Sequence, residues 1–389
     1  MAKVPAFFSK LGKNLETAVL ASEIAMMEVN NVIKLPDPAL NWATGFIPSD
    51  RVTVLAGDSG SGKTFLACMM LGILMKQRPN DYAVFIDIER YFWNKPERVK
   101  RLQSFGVDLD RLQIISTNMI DDAMSCLVDI ENGLRESRAK GEAGMCAIVV
   151  DSLGGLRTES DEKKLAEKGV EDASNKFGGV AKPIGTIIKK LLAISADNNV
   201  ASILIQHSIE EQGKGGPASA PPKMIITGGQ KLRYMSDCML LLKNIERKDA
   251  GLTSDNKSVE ISDKDFVKTG KTIRCQVVKS RSTVEGKVVE YQANFETCEI
   301  VNTHKSLFNL AKKLGILYHP IGPSGKESVQ WYAFKDSANK EHKFHGQEEA
   351  AEALKKDKKM YAEVEDACMK SKASGTIDTE AQIALGDEE

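Results

Sequence analysis

From residue 51 onward the chain alternates short runs of apolar residues with stretches of helical periodicity. The apolar runs are VTVLA (52–56), AVFID (83–87), AIVVD (147–151), ASILIQ (201–206), CMLLL (238–242) and IRCQVVK (273–279). Helical spacing falls between several of them, at about 64–76, 96–105, 121–139 and 183–198. Continuous apolar strands separated by helices predict an α/β fold with a mostly parallel sheet buried on both faces. The late strands follow one another through loops, so part of the sheet is expected to be antiparallel. Ahead of this region, Leu15, Val19, Ile24 and Met27 stand near helical spacing, and Pro36 and Pro38 break the pattern. Residues 1–40 therefore read as a short helical arm that packs on the body or on a neighbouring subunit.

Three stretches interrupt the alternation. Residues 154–182 are polar, 210–230 are dense in Gly, Pro, Ala and Ser, and 247–271 are charged and irregular. Loops this long inside a compact domain are usually functional or disordered. Beyond a core at 41–300 the composition changes. Residues 301–372 hold thirteen lysines, no arginine and four of the five histidines, and read as a small α/β domain. Residues 373–389 carry five acidic side chains and no basic one, which predicts a disordered acidic tail.

Composition narrows the classes. The 389 residues are 42% hydrophobic and 28% charged, which is a globular balance. Fifty-three basic and 54 acidic side chains give a net charge of −1, which excludes coating of nucleic acid by bulk positive charge but not a local basic site. No apolar run approaches the roughly 20 residues that span a bilayer, so no membrane partner is expected. The start MAKVPAFFSKLGKN lacks the apolar core of an export signal. Seven scattered cysteines, none at metal-ligand spacing, predict thiols in a reducing compartment. The expected address is the cytoplasm.

The sharpest local signal is Gly57-Asp58-Ser59-Gly60-Ser61-Gly62-Lys63-Thr64, a complete G-x-x-x-x-G-K-[ST] placed after a predicted strand and before a predicted helix. The glycines let consecutive backbone N–H groups face a phosphate, and the helix N-terminus adds a favourable dipole. Lys63 is expected to reach the β- and γ-phosphates of a nucleotide and Thr64 to bind Mg²⁺. AIVVD ends in Asp151, the form in which a carboxylate orients the Mg²⁺ shell through water. Glu89 lies just past AVFID, where it is either a general base for an attacking water or a solvated loop residue. ASILIQ leads into His207, at the mouth of the Gly/Pro-rich stretch, as either a γ-phosphate sensor or a structural histidine.

Taken in order, GDSGSGKT, FIDIE, AIVVDSLGGL, ILIQHS, ITGGQKLRYMSD and QVVKSR resemble the RecA family of recombinases over roughly residues 15–300. VDSLGGL, LETAVLASE and GGQKLRYMSD are most similar to its UvsX-type branch from tailed phages, whose address would be the host cytoplasm. LAKKLGILYHPIGPSGKESVQWYAF is a weaker echo of the family's C-terminal domain. The resemblance implies a RecA-like ATPase core that uses ATP and Mg²⁺. It makes Glu89 the catalytic glutamate and His207 the link between γ-phosphate and DNA, at a position where many relatives carry Gln. It sets 154–182 and 208–229 as the two DNA-binding loops, the second ending at Gly228-Gly229. Lys279 and Arg281 become the basic pair that reaches a neighbouring subunit's ATP. Where relatives carry an adenine-stacking aromatic, five residues before Gly106-Val107-Asp108, this chain has Arg101; Tyr91, Phe92 or Trp93 could substitute.

With a neutral chain, DNA contacts must come from loops. Lys214, Lys223, Lys231 and Arg233 surround the second loop, Arg157 and Lys182 bracket the first, and Met224, Ile225 and Ile226 are apolar side chains able to wedge between bases. The bland alternative is ordinary surface lysines. The resemblance implies filaments of this chain on single-stranded DNA, pairing with homologous duplex DNA, and strand exchange in recombination, repair and recombination-dependent replication. It also implies a single-strand-binding protein and a loading mediator as partners. A RecA-fold helicase, which would normally bring a larger N-terminal domain, and a non-catalytic ATP-binding mediator are the alternatives.

Overall fold

The computed structural model describes residues 32–159, 181–210, 224–227, 229–245, 250–259, 267–322 and 325–371. The expected arm helix, the centres of both proposed DNA loops, the acidic tail and the residues Lys214, Lys223 and Gly228 lie outside the described residues.

An opening hairpin-like unit consists of β1 (Val32–Ile33), α1 (Pro38–Thr44) and β2 (Ile47–Pro48), with β1 and β2 antiparallel. Asp37 caps α1: its Oδ1 accepts from the Leu40 N–H at 2.9 Å, and Pro38 occupies the first turn, where a missing N–H costs nothing. The alternating core follows as β3 (Val52–Gly57), α2 (Lys63–Gln77), β4 (Tyr82–Asp87), α3 (Pro96–Arg101), β5 (Leu112–Ile115), α4 (Ile120–Lys140), β6 (Met145–Asp151), α5 (Ala181–Asn198) and β7 (Ala201–Glu210). Then come β8 (Met224–Ile226), α6 (Gly229–Met235), β9 (Cys238–Asn244), β10 (Gly251–Leu252), β11 (Ser258–Val259), β12 (Gly270–Ser280), β13 (Val288–Asn294) and β14 (Glu299–Val301). The chain continues through α7 (Thr303–Lys313), the hairpin β15 (Trp331–Lys335) and β16 (Glu341–His345), α8 (Gly346–Lys356) and α9 (Lys358–Lys370).

The central sheet runs β11-β10-β12-β9-β3-β7-β6-β4-β5. The six strands from β9 to β5 are parallel, and β10 to β14 add antiparallel pairs on the far side. Because β3, β7, β6 and β4 point the same way, the loops after them open on one edge of the sheet, where ligands of open α/β sheets bind. Side chains alternate across β3. Val52, Val54 and Ala56 join an apolar cluster with Ile188 and Leu191 of α5 and Leu127 of α4. Leu55 joins the opposite cluster with Leu66, Met70 and Leu74 of α2. Leu307, Phe308 and Leu310 of α7 belong to that second cluster, together with Ile33, Trp42 and Tyr291, so the apolar core continues past residue 301.

The structure departs from the sequence pattern in several places. β5 is a half-buried edge strand of four residues, too short to stand out. β13 (VVEYQAN) alternates buried and half-buried positions, the mark of an antiparallel strand covered on one face. The helix expected to reach 105 ends at Arg101 and tightens into a 3₁₀ turn over Leu102–Phe105, closed by Gly106 at φ 81°. β7 runs four residues past its apolar run and pairs antiparallel with β8, so Glu210 and Met224–Ile226 within the 210–230 stretch belong to a strand ribbon rather than a loop, and α6 begins at Gly229. Among the described residues no helix is long and apolar enough to cross a membrane, and no cluster of three His, Cys, Asp or Glu side chains could hold a metal. All seven cysteines are free thiols.

Candidate functional site

The loop between β3 and α2 needs glycine for steric reasons. A Cβ on Gly57, at φ 153°, would lie 2.2 Å from the Leu242 carbonyl oxygen and 2.5 Å from Ser61 Oγ. One on Gly62, at φ 89°, would lie 2.6 Å from Ile273 Cδ1. The loop wraps round Lys63, whose Nζ donates to the carbonyl oxygens of Gly57 (2.8 Å) and Asp58 (2.5 Å). Burial pushes the Lys63 pKa down, with Asp151, Asp58 and Glu89 acting the other way. Asp58 Oδ1 accepts from Ser208 Oγ at 2.8 Å, tying the loop to β7, while Ser59 and Gly60 are exposed at its tip.

Thr64 Oγ1 donates to Asp151 Oδ2 at 2.7 Å. Burial raises the Asp151 pKa to about 6, against the lowering effect of that bond. These groups fit a nucleoside triphosphate with a hard divalent cation. An ammonium rests on neutral carbonyls alone, Ser61 Oγ is buried without a partner, the cradle excludes a Cβ at Gly57 and Gly62, and a hydroxyl and a carboxylate stand side by side as oxygen donors.

The tips of β4, β6 and β7 meet next to this loop. The N–H groups of Ile88 and Glu89 both donate to the Asp151 carbonyl oxygen, at 2.8 and 3.2 Å. Glu89 Oε1 accepts from Ser152 Oγ at 2.8 Å and pairs with His207 Nε2 at 2.9 Å. Burial pushes the Glu89 carboxyl up, but those two bonds and the charges of His207 and Lys63 outweigh it and hold it below the usual range. Behind His207, Gln206 Nε2 donates to Thr227 Oγ1 at 2.5 Å, and Thr227 Oγ1 donates to the His207 carbonyl oxygen at 3.0 Å. A continuous set of contacts thus runs from the phosphate loop through Glu89 and His207 to Thr227, at the return of the second loop. Ser152, Ser208 and Thr227 were not singled out from sequence: each is a small hydroxyl whose meaning depends on which strands are neighbours.

A cavity of about 450 Å³ adjoins Gly60, Gly62, Lys63 and Thr64. Arg101 lines it, with its Nε donating to Cys298 Sγ at 3.3 Å. Tyr91 also lines it, with the Arg98 guanidinium 4.3 Å from its ring centre. Phe92 borders it while packing its ring edge-on against Phe85 in the core, whereas Trp93 is 58% exposed and outside the lining. Phe295, just beyond β13, completes the wall in edge contact with Phe65. No local pattern marks it in the sequence, because β13 alternates buried and half-buried positions.

Lys279 and Arg281 do not reach this phosphate loop. Lys279 lies on β12 eight residues after Lys271 and Arg281 just past its end, and Lys271 is the one whose Nζ bonds the Gly60 carbonyl. At about 3.3 Å per residue the separation is about 26 Å for Lys279. Lys279 Nζ instead donates to the carbonyls of Arg233, Tyr234 (3.1 Å) and Ser236 (2.6 Å), capping the C-terminus of α6. Arg281 is 60% exposed and pairs with buried Asp237 at 3.1 Å.

Of the proposed DNA contacts, Arg157 is exposed where the first loop begins, its N–H bonded to the Asn118 carbonyl. Lys182 lies in the first turn of α5. Met224 and Ile225 lie on β8, Gly229 begins α6, and Lys231 and Arg233 follow on that helix. Lys231 lays its stem against Gly185 of α5, and Arg233 stands 3.8 Å from Glu285.

Residues 25–298, which contain this whole arrangement, match the RecA N-terminal domain. The chain belongs to the RecA family. Among its relatives, Protein RecA of Aquifex pyrophilus is 25% identical over 100% of this chain and 99% of its own length. Protein RecA of Aquifex aeolicus (strain VF5) is 27% identical over 77% of this chain and 72% of its own length. The Heliobacterium modesticaldum protein of that name is 24% identical, over 92% and 88%. The family match ends where β14 begins, while the Aquifex pyrophilus relative is aligned over the whole chain, α7 to α9 included.

Proposed function

We propose that this chain is an ATP-dependent DNA recombinase that assembles on single-stranded DNA and exchanges it with a homologous duplex, in recombination and repair. The observation that carries this reading is the joining of the phosphate loop, Glu89, His207 and Thr227 in one hydrogen-bonded set. A nucleotide-hydrolysing centre is thereby linked to the two ends of a Gly/Pro-rich loop. In this reading Lys63 exchanges its carbonyl partners for phosphate oxygens, and the Ser61 hydroxyl and the N-terminus of α2 take others. Thr64 and Asp151 would hold Mg²⁺, Asp151 through water, and the ion supplies charge neutralisation along the phosphate chain. Glu89, held through Oε1 by Ser152 and His207, orients a water and takes its proton as the water oxygen bonds the γ-phosphorus and the bond to the β-phosphate oxygen breaks, releasing the nucleoside diphosphate. His207 then changes partner, and the β7–β8 ribbon carries that change to residues 211–223.

Lys279 and Arg281 act on the nucleotide of an adjacent subunit, which makes turnover depend on assembly. Arg157, Lys182, Lys214, Lys223, Lys231 and Arg233 meet the DNA backbone, so binding weakens with salt. Residues 301–372 serve as an accessory domain, and a single-strand-binding protein and a loading mediator serve as partners. The motifs VDSLGGL and GGQKLRYMSD favour the UvsX-type branch.

Strand exchange between homologous single- and double-stranded DNA tests the proposal, with ATP and with Lys63→Ala as control. Product that forms with wild type and ATP, and is absent with Lys63→Ala, is the expected result. DNA unwinding from closed rings without strand exchange would overturn it.

A further inference from the structure

Lys271 is the second residue of β12, and its side chain crosses to the phosphate loop. Its Nζ donates to the Gly60 carbonyl oxygen and, at 2.6 Å, to Asn244 Oδ1, and it stands 5.5 Å from the centre of the Phe295 ring. It lines the same cavity as Lys63. Both hydrogen-bond partners are neutral. Among the described residues, Lys63, Arg98, Arg101 and Lys271 border the cavity, and no acidic side chain does. Burial and the nearby Lys63 charge both push the Lys271 pKa down, so the fold keeps an ammonium where its surroundings resist one. Neutral oxygens offset only part of the desolvation of an ammonium. A solvated lysine would avoid this cost by extending into water.

We propose that Lys271 is a nucleotide-binding residue acting within its own subunit, giving ATP and ADP a second ammonium in the cavity beside Lys63. This rests on the nucleotide-binding reading above and adds a residue to it. Glu89 does not line the cavity, so Lys271 acts on binding common to both nucleotides rather than on the hydrolytic step. The contact with Gly60 also sets the end of β12 against the loop, which makes Lys271 a positioning residue for the P-loop backbone.

Two variants separate charge from shape: Lys271→Met keeps the stem, and Lys271→Arg keeps the charge. ADP is titrated calorimetrically onto the full-length chain at two salt concentrations, and KM, kcat and Tm are measured alongside. Loss of a charged hydrogen bond predicts ADP affinity lower by about tenfold to a hundredfold in Lys271→Met, with a flatter salt dependence. KM for ATP should rise by more than kcat falls, and Lys271→Arg should recover most of the loss. Unchanged ADP affinity in Lys271→Met overturns the proposal. So does a loss that Lys271→Arg leaves in place while Tm falls, since that is a structural strut. If wild type itself binds no ADP, the nucleotide-binding reading falls instead.

Discussion

Glu89 places one carboxylate oxygen under two donors, Ser152 and His207, while its partner histidine sits at the head of the second loop. Glu89→Gln keeps an acceptor for Ser152 and removes the base. Steady-state ATP hydrolysis on single-stranded DNA should fall by about 10²–10⁴-fold with nucleotide binding retained. A rate within tenfold of wild type would exclude Glu89 as the base. At this scale sequence legibility follows locality. The phosphate loop and Asp151 are readable because their partners are neighbours in sequence or close a strand. Ser152, Ser208, Lys271 and Phe295 acquire roles only through strand order, which no local pattern encodes.

Among the elements, α1 shows how a cap can titrate. Asp37 is fully buried, accepts from Leu40 and from Ser306 Oγ at 3.0 Å, and has its pKa raised by burial to about 6 from 3.8. The folded state holds this proton more tightly than the unfolded chain. The associated stability is therefore complete below pH 4, falls as pH rises to 6, and stays lost above. Asp37→Asn keeps a capping oxygen and has nothing to ionise. Its stability relative to wild type should increase from pH 4.5 to pH 7.5, by at most about 3 kcal/mol. Urea melts at the two pH values measure this, and a stability relative to wild type that stays level or falls with pH would refute it. The cap was hidden in the sequence: Pro36 and Pro38 read only as breakers, and Ser306 is 269 residues away. The parallel strands were legible from their apolar runs, whereas β5 was too short and β13 too alternating to stand out.

The net charge of −1 conceals a molecule divided by position. Among the described residues its nucleotide cavity is lined by four basic side chains and no acidic one, and the lysine-rich C-terminal elements are packed on α1 and β13 through a shared core. The assembly itself can be tested by mixing. Glu89→Gln subunits keep Arg281, and Arg281→Gln subunits keep Glu89, so each alone should be nearly inactive. In an equal mixture about one interface in four pairs both intact groups across a head-to-tail contact, and ATPase activity should return to about that fraction of wild type. A mixture as inactive as its parents would place Arg281 outside a neighbour's site.

The geometry of β12 adds a mechanical consequence. The strand is laced to β10 and β9 on one side and to β13 on the other, with Lys271 near one end, Lys279 near the other and Arg281 just past it. It is a push-rod clamped along its length. If Lys271 binds its own subunit's nucleotide and Lys279 and Arg281 the neighbour's, as proposed above, a small slide would reach both sites in the same instant. Neighbouring sites along a filament would then keep time with one another through a covalent bar, without waiting for a loop to diffuse.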